Sequence, residues 1–194
     1  NKKHITNEHS RNVAHILRYQ NDAILTSYKT INTDNPKLNC RLNGLDKYSP
    51  RVVVIDKSLK IKISSYVIKS YKKSKIIIFH NSKNYKKIKL LKKKGVKLIY
   101  QKIENNNYFD LKKIIWRLYK YGLHKILIES GSNLMINFLK ANLINEFYFF
   151  KSGKIISERD KINISPLVKL INKRYKNKKN IKTYLDKDSL THYC

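Results

Sequence analysis

Residues 125–134 read Lys125-Ile126-Leu127-Ile128-Glu129-Ser130-Gly131-Ser132-Asn133-Leu134, and this stretch decides the fold class. The apolar run at 125–129 has the length of a buried strand rather than of a helix. It ends on a carboxylate, and the small-residue turn Gly131-Ser132-Asn133 then opens a helix that runs to about Ala141. A strand delivered straight into a helix is half of a crossover unit, the connection that joins parallel strands.

The same alternation extends outward in both directions. Upstream, Asp110 caps a helix whose Leu111, Ile114, Ile115 and Leu118 recur at i, i+3, i+4 and i+7, and Gly122 ends it. Before it come a strand at 96–100, a helix at 84–94 stopped by Gly95, and β-branched strands at 75–80 (KIIIFH) and 51–56 (RVVVID). Nearer the start, 23–25 reads as a short strand and 30–36 as a polar loop holding the turn Asp34-Asn35-Pro36. Thr6 is the expected cap of the first helix, with Glu8 in its first turn and Val13, Ile16 and Leu17 as its buried stripe. Downstream, 143–150 reads as a strand, and weaker patterning returns at 181–185 and 190–193. The pattern predicts one α/β domain over residues 1–194, with a mostly parallel central sheet and helices on both faces.

Composition narrows the function classes. The chain carries 43 Lys and Arg against 13 Asp and Glu, a formal charge of +30. A dedicated nucleic-acid binder concentrates charge on one face and favours arginine for bidentate contacts. Here the excess is chiefly lysine, spread along the chain together with many Asn, Ile and Tyr. Those four residue types share A/T-rich codons, so a biased genome accounts for the charge more simply than selection for nucleic acid. Non-specific affinity for polyanions follows either way. The rival reading from a different class is a basic polyanion-binding protein that keeps the fold without catalysis. No apolar run approaches the roughly 20 residues of a membrane span. Cys40 and Cys194 supply neither a zinc site nor a disulfide framework, so no metal and a reducing cytoplasm are expected.

Three places carry candidate chemistry. In open α/β sheets, ligands bind beyond the carboxyl ends of strands, where backbone N–H groups open the next helix. Glu129-Ser130-Gly131-Ser132-Asn133 answers that description: a carboxylate, a glycine that lets backbone approach a ligand, and side chains suited to phosphate. An ordinary strand–helix turn would read the same. The second place is 30–41, where Thr30, Asp34 and Arg41 offer a hydroxyl, a carboxylate and a guanidinium around a rigid Asx-Pro turn. The third is Arg18 on the first helix, an arginine in a chain where lysine is the common cation. His9, His15, His80, His124 and His192 have no ligand-like spacing and read as structural or exposed. Cys40 reads as a small side chain, and Trp116 as a cover for a helix edge or an oligomer contact.

Taken together, Ile5-Thr6, Arg11, Arg18, Asp22-Ala23-Ile24-Leu25, Thr30-x-x-x-Asp34-Asn35-Pro36-x-Leu38-x-x-Arg41, the RVVVID strand, Ile128-Glu129-Ser130-Gly131 and Leu143-Ile144-Asn145-Glu146-Phe147 resemble one family in order and spacing. That family is the reductase domain of the bifunctional riboflavin-biosynthesis deaminase–reductases. The likeness spans roughly residues 4–155, with a fainter echo at Asp188-Ser189-Leu190.

The resemblance implies a dihydrofolate-reductase-like fold. It further implies NADPH-dependent reduction of 5-amino-6-(5-phosphoribosylamino)uracil to its ribitylamino form, with hydride delivered to C1 of the ring-opened ribose. Carried over residue by residue, Thr30 and Asp34 fall at nicotinamide-cofactor positions. Gly131, Ser132, Asn133, Leu134, Met135, Ile136 and Asn137 match the cofactor phosphate loop, and Arg18, Leu38, Arg41 and Glu129 match substrate positions. Asp34 and Glu129 are the expected catalytic carboxylates: Glu129 as acceptor for pyrimidine N–H groups, Asp34 to orient the nicotinamide or ribose or to relay a proton. A homodimer, and a deaminase domain N-terminal to this one, belong to the same expectation.

The chain departs from the family pattern in places. His4 stands where the family has Trp, Lys2 where it has a small hydroxyl residue, and Lys57 where a serine often follows the RVVVID-type strand. Lys57 would meet a cofactor phosphate or remain a solvated surface lysine. The family's first strand, K-x-A-x-S-L-D-G, and the zinc deaminase signature H-A-E…P-C-x-x-C have no counterpart in these 194 residues. Both are expected in a longer parent protein.

Overall fold

The computed structural model describes residues 5–70, 75–104, 107–154, 163–181 and 185–194; Lys2 and His4 lie outside them. Five short apolar segments form a wholly parallel sheet: β1 (Ala23–Ser27), β2 (Arg51–Ile55), β3 (Ile76–His80), β4 (Lys97–Tyr100) and β5 (Ile126–Ile128). Their order across the sheet is β4-β3-β2-β1-β5. Register brings Leu25 opposite Val53 and Ile128, and Val53 opposite Ile77. The continuous Val/Ile/Leu character of β2 and β3 is what burial on two faces demands, and Val52–Val54 and Ile77–Phe79 are fully buried.

Helices cover both faces, as the alternation predicts. On one face, Leu25, Val53, Ile77 and Phe79 pack with Ile114 and Leu118 of α5 (Leu111–Lys120) and Phe138 and Leu139 of α6 (Ser132–Lys140). Leu167 and Ile171 of α7 (Ser165–Arg174) join the same cluster. On the other face, Ile24, Val52, Val54 and Ile78 meet Ile31 of α2 (Tyr28–Asp34), Val67 and Ile68 of α3 (Tyr66–Ser70), and Leu91 of α4 (Tyr85–Lys93).

The ends of these helices follow local chemistry. After α4 and α5, Gly95 and Gly122 adopt left-handed conformations with φ of 80° and 73°. In each case the next two N–H groups bond back onto the last turn: Gly95 N to Lys92 O and Val96 N to Leu91 O, Gly122 N to Tyr119 O and Leu123 N to Leu118 O. Asp110 caps α5 by accepting from Lys112 N and Lys113 N. Asp22 does a comparable service to β5, its Oδ2 accepting from His124 N and Lys125 N at 2.8 Å each.

Four sequence expectations are corrected. The first helix, α1 (Glu8–Tyr19), is capped by Asn7 rather than Thr6, with Asn7 Oδ1 accepting from Ser10 N at 2.8 Å. Its stripe is not the apolar one: Ile16 is 42% exposed, whereas Ser10 and His15 are buried. Polar partners explain this inversion, since Ser10 Oγ donates to Asp188 Oδ2 at 2.7 Å and α1 docks on a polar site instead of the apolar core.

Residues 28–34 are helical, not loop. Ser27 Oγ accepts from Thr30 N, Ile31 is driven into the core, and Asn35, left-handed at φ 44°, stops the helix before Pro36. Burial and a cap override weak helix propensity here.

The strand read at 143–150 begins at Phe147. Asn142 takes the left-handed position that Gly95 and Gly122 fill elsewhere, with Leu143 N donating to Phe138 O, so the following residues are the exit turn of α6. That strand, β6 (Phe147–Lys151), does not belong to the parallel sheet. It pairs antiparallel with β8 (Ser189–Tyr193), which pairs antiparallel with β7 (Lys178–Ile181), in the order β6-β8-β7. Among the described residues, β5 pairs with β1 alone and β6 with β8 alone, so each sheet has an unpaired edge strand beside the site.

Asp188 joins the two ends of the chain. Buried at the start of β8, it accepts from Asn7 N, Ser10 Oγ and Gly153 N. Burial by itself would raise its pKa, but these hydrogen bonds outweigh it and hold the carboxyl below its ordinary 3.8. A depressed carboxylate stabilises the fold above its unfolded pKa, and that stability disappears as pH falls through the folded value. Asp188→Ala is therefore expected to cost about 2 kcal/mol at pH 7 in urea unfolding. The gap between variant and parent should close below pH 3.8, and a gap that stays constant to pH 2 would refute this assignment.

Candidate active site

One cavity of about 1570 Å³ runs along β5, from Asp22, His124 and Lys125 at its amino end to Glu129, Ser130 and Gly131 beyond its carboxyl end. Glu129, immediately after β5, is fixed by its N–H, which donates to Leu25 O at 3.0 Å and so continues the parallel ladder. Its carboxylate meets Arg18 from α1 in a two-point pair: Nε donates to Oε1 and Nη2 to Oε2, each at 2.7 Å. The side chains are 14% and 27% exposed, so this is a partly desolvated, bidentate contact of the strong kind. Arg18 Nη1 also donates to Asn39 O at 3.1 Å, tying the helix to the loop that follows α2.

That loop carries the remaining substrate-position residues. Leu38 is buried with φ 52°, an uncommon conformation for a branched side chain. Cys40 is buried, its N–H donating to Ser49 Oγ. Arg41 points outward and donates from Nη1 to Asn39 Oδ1 at 2.9 Å. Burial, and then the like charge of Arg18, push the Arg41 pKa down. The two guanidiniums therefore share one electrostatic environment.

Thr30, Asp34 and Leu38 line the cavity together with Glu129, Gly131 and Met135. Thr30 shares a hydrogen bond with Ser27 at 3.1 Å. Arg18 reaches the same place through Glu129. The seven residues 131–137 divide by role. Gly131 is the N-cap of α6 and provides no side-chain cap, so the first N–H groups of the helix remain available to an anion. A Cβ built on Gly131 meets nothing within 4 Å, so the approach to these groups is open. Ser132 is half-buried and Asn133 and Asn137 are exposed. Leu134, Met135 and Ile136 pack against the core, so any contact that Leu134 or Ile136 makes with a ligand falls to the backbone.

One polar atom in this turn lacks a partner. Ser130 Oγ is buried and has no hydrogen bond among the described residues, an arrangement that costs stability unless a ligand or water completes it. The uncapped helix N-terminus beside it fits the phosphates of a dinucleotide. No group of three His, Cys, Asp or Glu side chains suited to a metal occurs among the described residues.

Elsewhere the polar residues act structurally. Asp56 ends β2 fully buried and accepts from Lys60 N and Ile61 N, and burial raises its pKa against those hydrogen bonds. Lys57 donates to Asn107 Oδ1 at 2.9 Å. His80 is buried at the end of β3 and its Nδ1 accepts from Ser82 N. Trp116 is 60% exposed, with Lys120 Nζ 5.5 Å from its ring.

His15 is the residue that sequence reasoning undervalued. It lies on the buried side of α1, its Nδ1 has no partner among the described residues, and it stands near Arg18, Arg41 and the Asn39 main chain. Burial first, and then the two arginines, lower its pKa from 6.5 to about 4. The signal was available only as a histidine three residues before Arg18, on a helix face that does not follow the apolar period. A histidine depressed in the fold makes the unfolded state bind more protons between pH 4 and 6.5, so stability falls as pH drops through that window. His15→Gln should flatten this part of the pH–stability curve by about 1–2 kcal/mol after solvent screening. Unfolding curves of equal slope for both proteins between pH 6.5 and 4 would reject it.

Comparison with known proteins connects this geometry to a family. Residues 1–176 match the family model described as the RibD C-terminal domain. The chain is 31% identical over 156 residues to the riboflavin biosynthesis protein RibD of Aquifex aeolicus, covering 80% of this chain and 42% of that protein. It is 29% identical over 172 residues to the 5-amino-6-(5-phosphoribosylamino)uracil reductase of Buchnera aphidicola, covering 82% of this chain and 79% of that protein. The solved structure of Acinetobacter baumannii RibD superposes with a TM-score of 0.74 at 18% identity, over 98% of this chain and 51% of that one. The chain thus spans less than half of the Aquifex protein, and its α/β architecture is the expected dihydrofolate-reductase-like one. On the match over residues 1–176, the chain belongs to the RibD C-terminal domain family.

Proposed function

We propose that this domain reduces the ribosyl group of 5-amino-6-(5-phosphoribosylamino)uracil to the ribityl group, with NADPH as reductant. The observation that carries the reading is the convergence of Glu129, Asp34 and Thr30 with the open N-terminus of α6 on one cavity that runs along β5. A dinucleotide and a phosphorylated pyrimidine nucleoside need complementary surfaces, and the two halves of this cavity differ in that way.

The cofactor half is the turn 130–133. Its free N–H groups and the positive end of the helix dipole suit pyrophosphate. Thr30 and Asp34, on α2, flank the nicotinamide end. When bound, NADPH supplies the hydride that reaches C1 of the ring-opened ribose.

The substrate half is Glu129 and Leu38 in the cavity lining, with Arg18 behind Glu129 and Arg41 outside the lining. Glu129 accepts from pyrimidine N–H groups, and Arg18 aims that carboxylate. Leu38 offers an apolar wall. Arg41, outermost, suits the 5′-phosphate because a guanidinium fork matches phosphate oxygens. Asp34, on α2 with Thr30, orients the ribose or relays a proton to the oxygen released from the ring. The remaining parts of the reading are a deaminase domain as neighbour in the parent protein, a homodimer and a cytoplasmic setting.

The experiment is a steady-state assay of NADPH oxidation on the deaminated phosphoribosylaminopyrimidine, with the parent protein and two variants. Glu129→Gln and Asp34→Asn are each expected to lower kcat/KM by about 100-fold or more. Absence of turnover in the full-length parent protein, with NADPH failing to bind, would overturn the proposal.

A further inference from the structure

Both arginines expected at the substrate end bond to the same residue, Asn39, one through its main chain and one through its side chain. Arg18 Nη1 donates to the Asn39 carbonyl oxygen at 3.1 Å, and Arg41 Nη1 donates to Asn39 Oδ1 at 2.9 Å. Asn39 is itself held on both sides. Leu38 before it is buried in a left-handed conformation, and Cys40 after it is buried with its N–H on Ser49 Oγ. A branched residue at positive φ persists only where its surroundings over-determine it, so the backbone of 38–40 is a rigid mount.

The mount answers an electrostatic need. Two guanidiniums near one another, with buried His15 alongside, repel and would drift apart in water. Glu129 neutralises Arg18 through two hydrogen bonds. The bond to Asn39 Oδ1 is what ties Arg41 to the same frame.

We infer that Asn39 is a positioning residue. It fixes Arg41 relative to the Arg18–Glu129 pair and so sets the distance between the pyrimidine-binding and phosphate-binding ends of the substrate site. This rests on the reductase reading for the identity of the substrate, but not for the geometry. Asn39 acts as a spacer: ligands whose phosphate lies at the matching distance from the pyrimidine gain both contacts, and others gain one. It touches no reacting atom, so its effect belongs in KM and not in kcat.

The test compares Asn39→Ala, Asn39→Asp, Arg41→Ala and the double variant Asn39→Ala/Arg41→Ala, with thermal unfolding to check that each folds. In turnover, Asn39→Ala should raise KM for the phosphorylated substrate by about five- to tenfold, leaving kcat and the KM for NADPH within twofold. The substrate lacking its phosphate should not distinguish parent from variant. Asn39→Asp, which keeps the acceptor, should restore KM. The double variant should be no worse than Arg41→Ala, because two residues acting through one contact are not additive.

A second arm needs no turnover: calorimetric binding, without NADPH, of uridine 5′-phosphate, which carries both a pyrimidine and a phosphate, beside uridine, which lacks the phosphate. Asn39→Ala and Arg41→Ala should weaken uridine 5′-phosphate binding to a similar degree, with no further loss in the double variant. Additive losses, or equal effects on phosphorylated and dephosphorylated ligands, would overturn the spacer role. So would uridine 5′-phosphate binding unchanged in Asn39→Ala. Failure of the parent protein to oxidise NADPH counts against the reductase reading alone, since the binding arm still decides the role of Asn39.

Discussion

The contact between Arg18 and Glu129 joins residues 111 positions apart, and the site is arranged around it. Arg18 comes from the last turn of a helix whose Ile16 is exposed, and Glu129 comes from the first position beyond a half-buried strand. Neither element would set the angle of the other through apolar packing. The bidentate geometry does so, since both carboxylate oxygens and two guanidinium nitrogens are committed. Removing either partner leaves a partly buried charge beside a neutral histidine and a second arginine, so the rest of the cluster depends on the pair being complete.

Charge in this protein is organised at two scales. The lysine excess is spread along the whole chain and says little about fold. Within the fold, few acids are used and each is used heavily. Asp22 holds the start of β5, Asp56 the loop after β2, Asp188 the junction of the chain's two ends, and Glu129 the site. With only 13 acidic residues against 43 basic ones, an acid placed where backbone N–H groups converge stabilises more than an exposed ion pair does.

The parallel sheet was legible because its strands are buried on two faces, and a run such as Ile76–Phe79 has no other economical reading. Gly95 and Gly122 were legible because few residues tolerate their backbone. Asn142 fills the same position after α6 without announcing itself, and so the strand start was placed too early. The helix at 28–34 was hidden because Thr and Asn favour turns, while the forces that make it helical, Ile31 burial and the Ser27 cap, are tertiary and terminal. The family motif put Glu129, Arg18, Thr30, Asp34, Leu38 and Arg41 on the page. That Arg18 and Glu129 grip each other, that Leu134 and Ile136 face the core, and that Asn39 and His15 stand between the arginines required coordinates. The division of β6, β7 and β8 into a separate antiparallel sheet was also illegible, since periodicity assigns strands but not their partners.

The unpaired edges of β5 and β6 bear on how long different parts of the backbone stay closed to solvent. In β1, β2 and β3 the ladder is flanked on both sides, whereas β5 has a ladder on one side and half-exposed residues along its length. Amide deuterium uptake should therefore be graded across the parallel sheet, slowest in β1, β2 and β3 and faster at its edge strands β4 and β5. An edge of that kind also offers hydrogen-bonding groups to any extended chain that reaches it, so the rim of the cavity is where this domain is most open to pairing with other polypeptide.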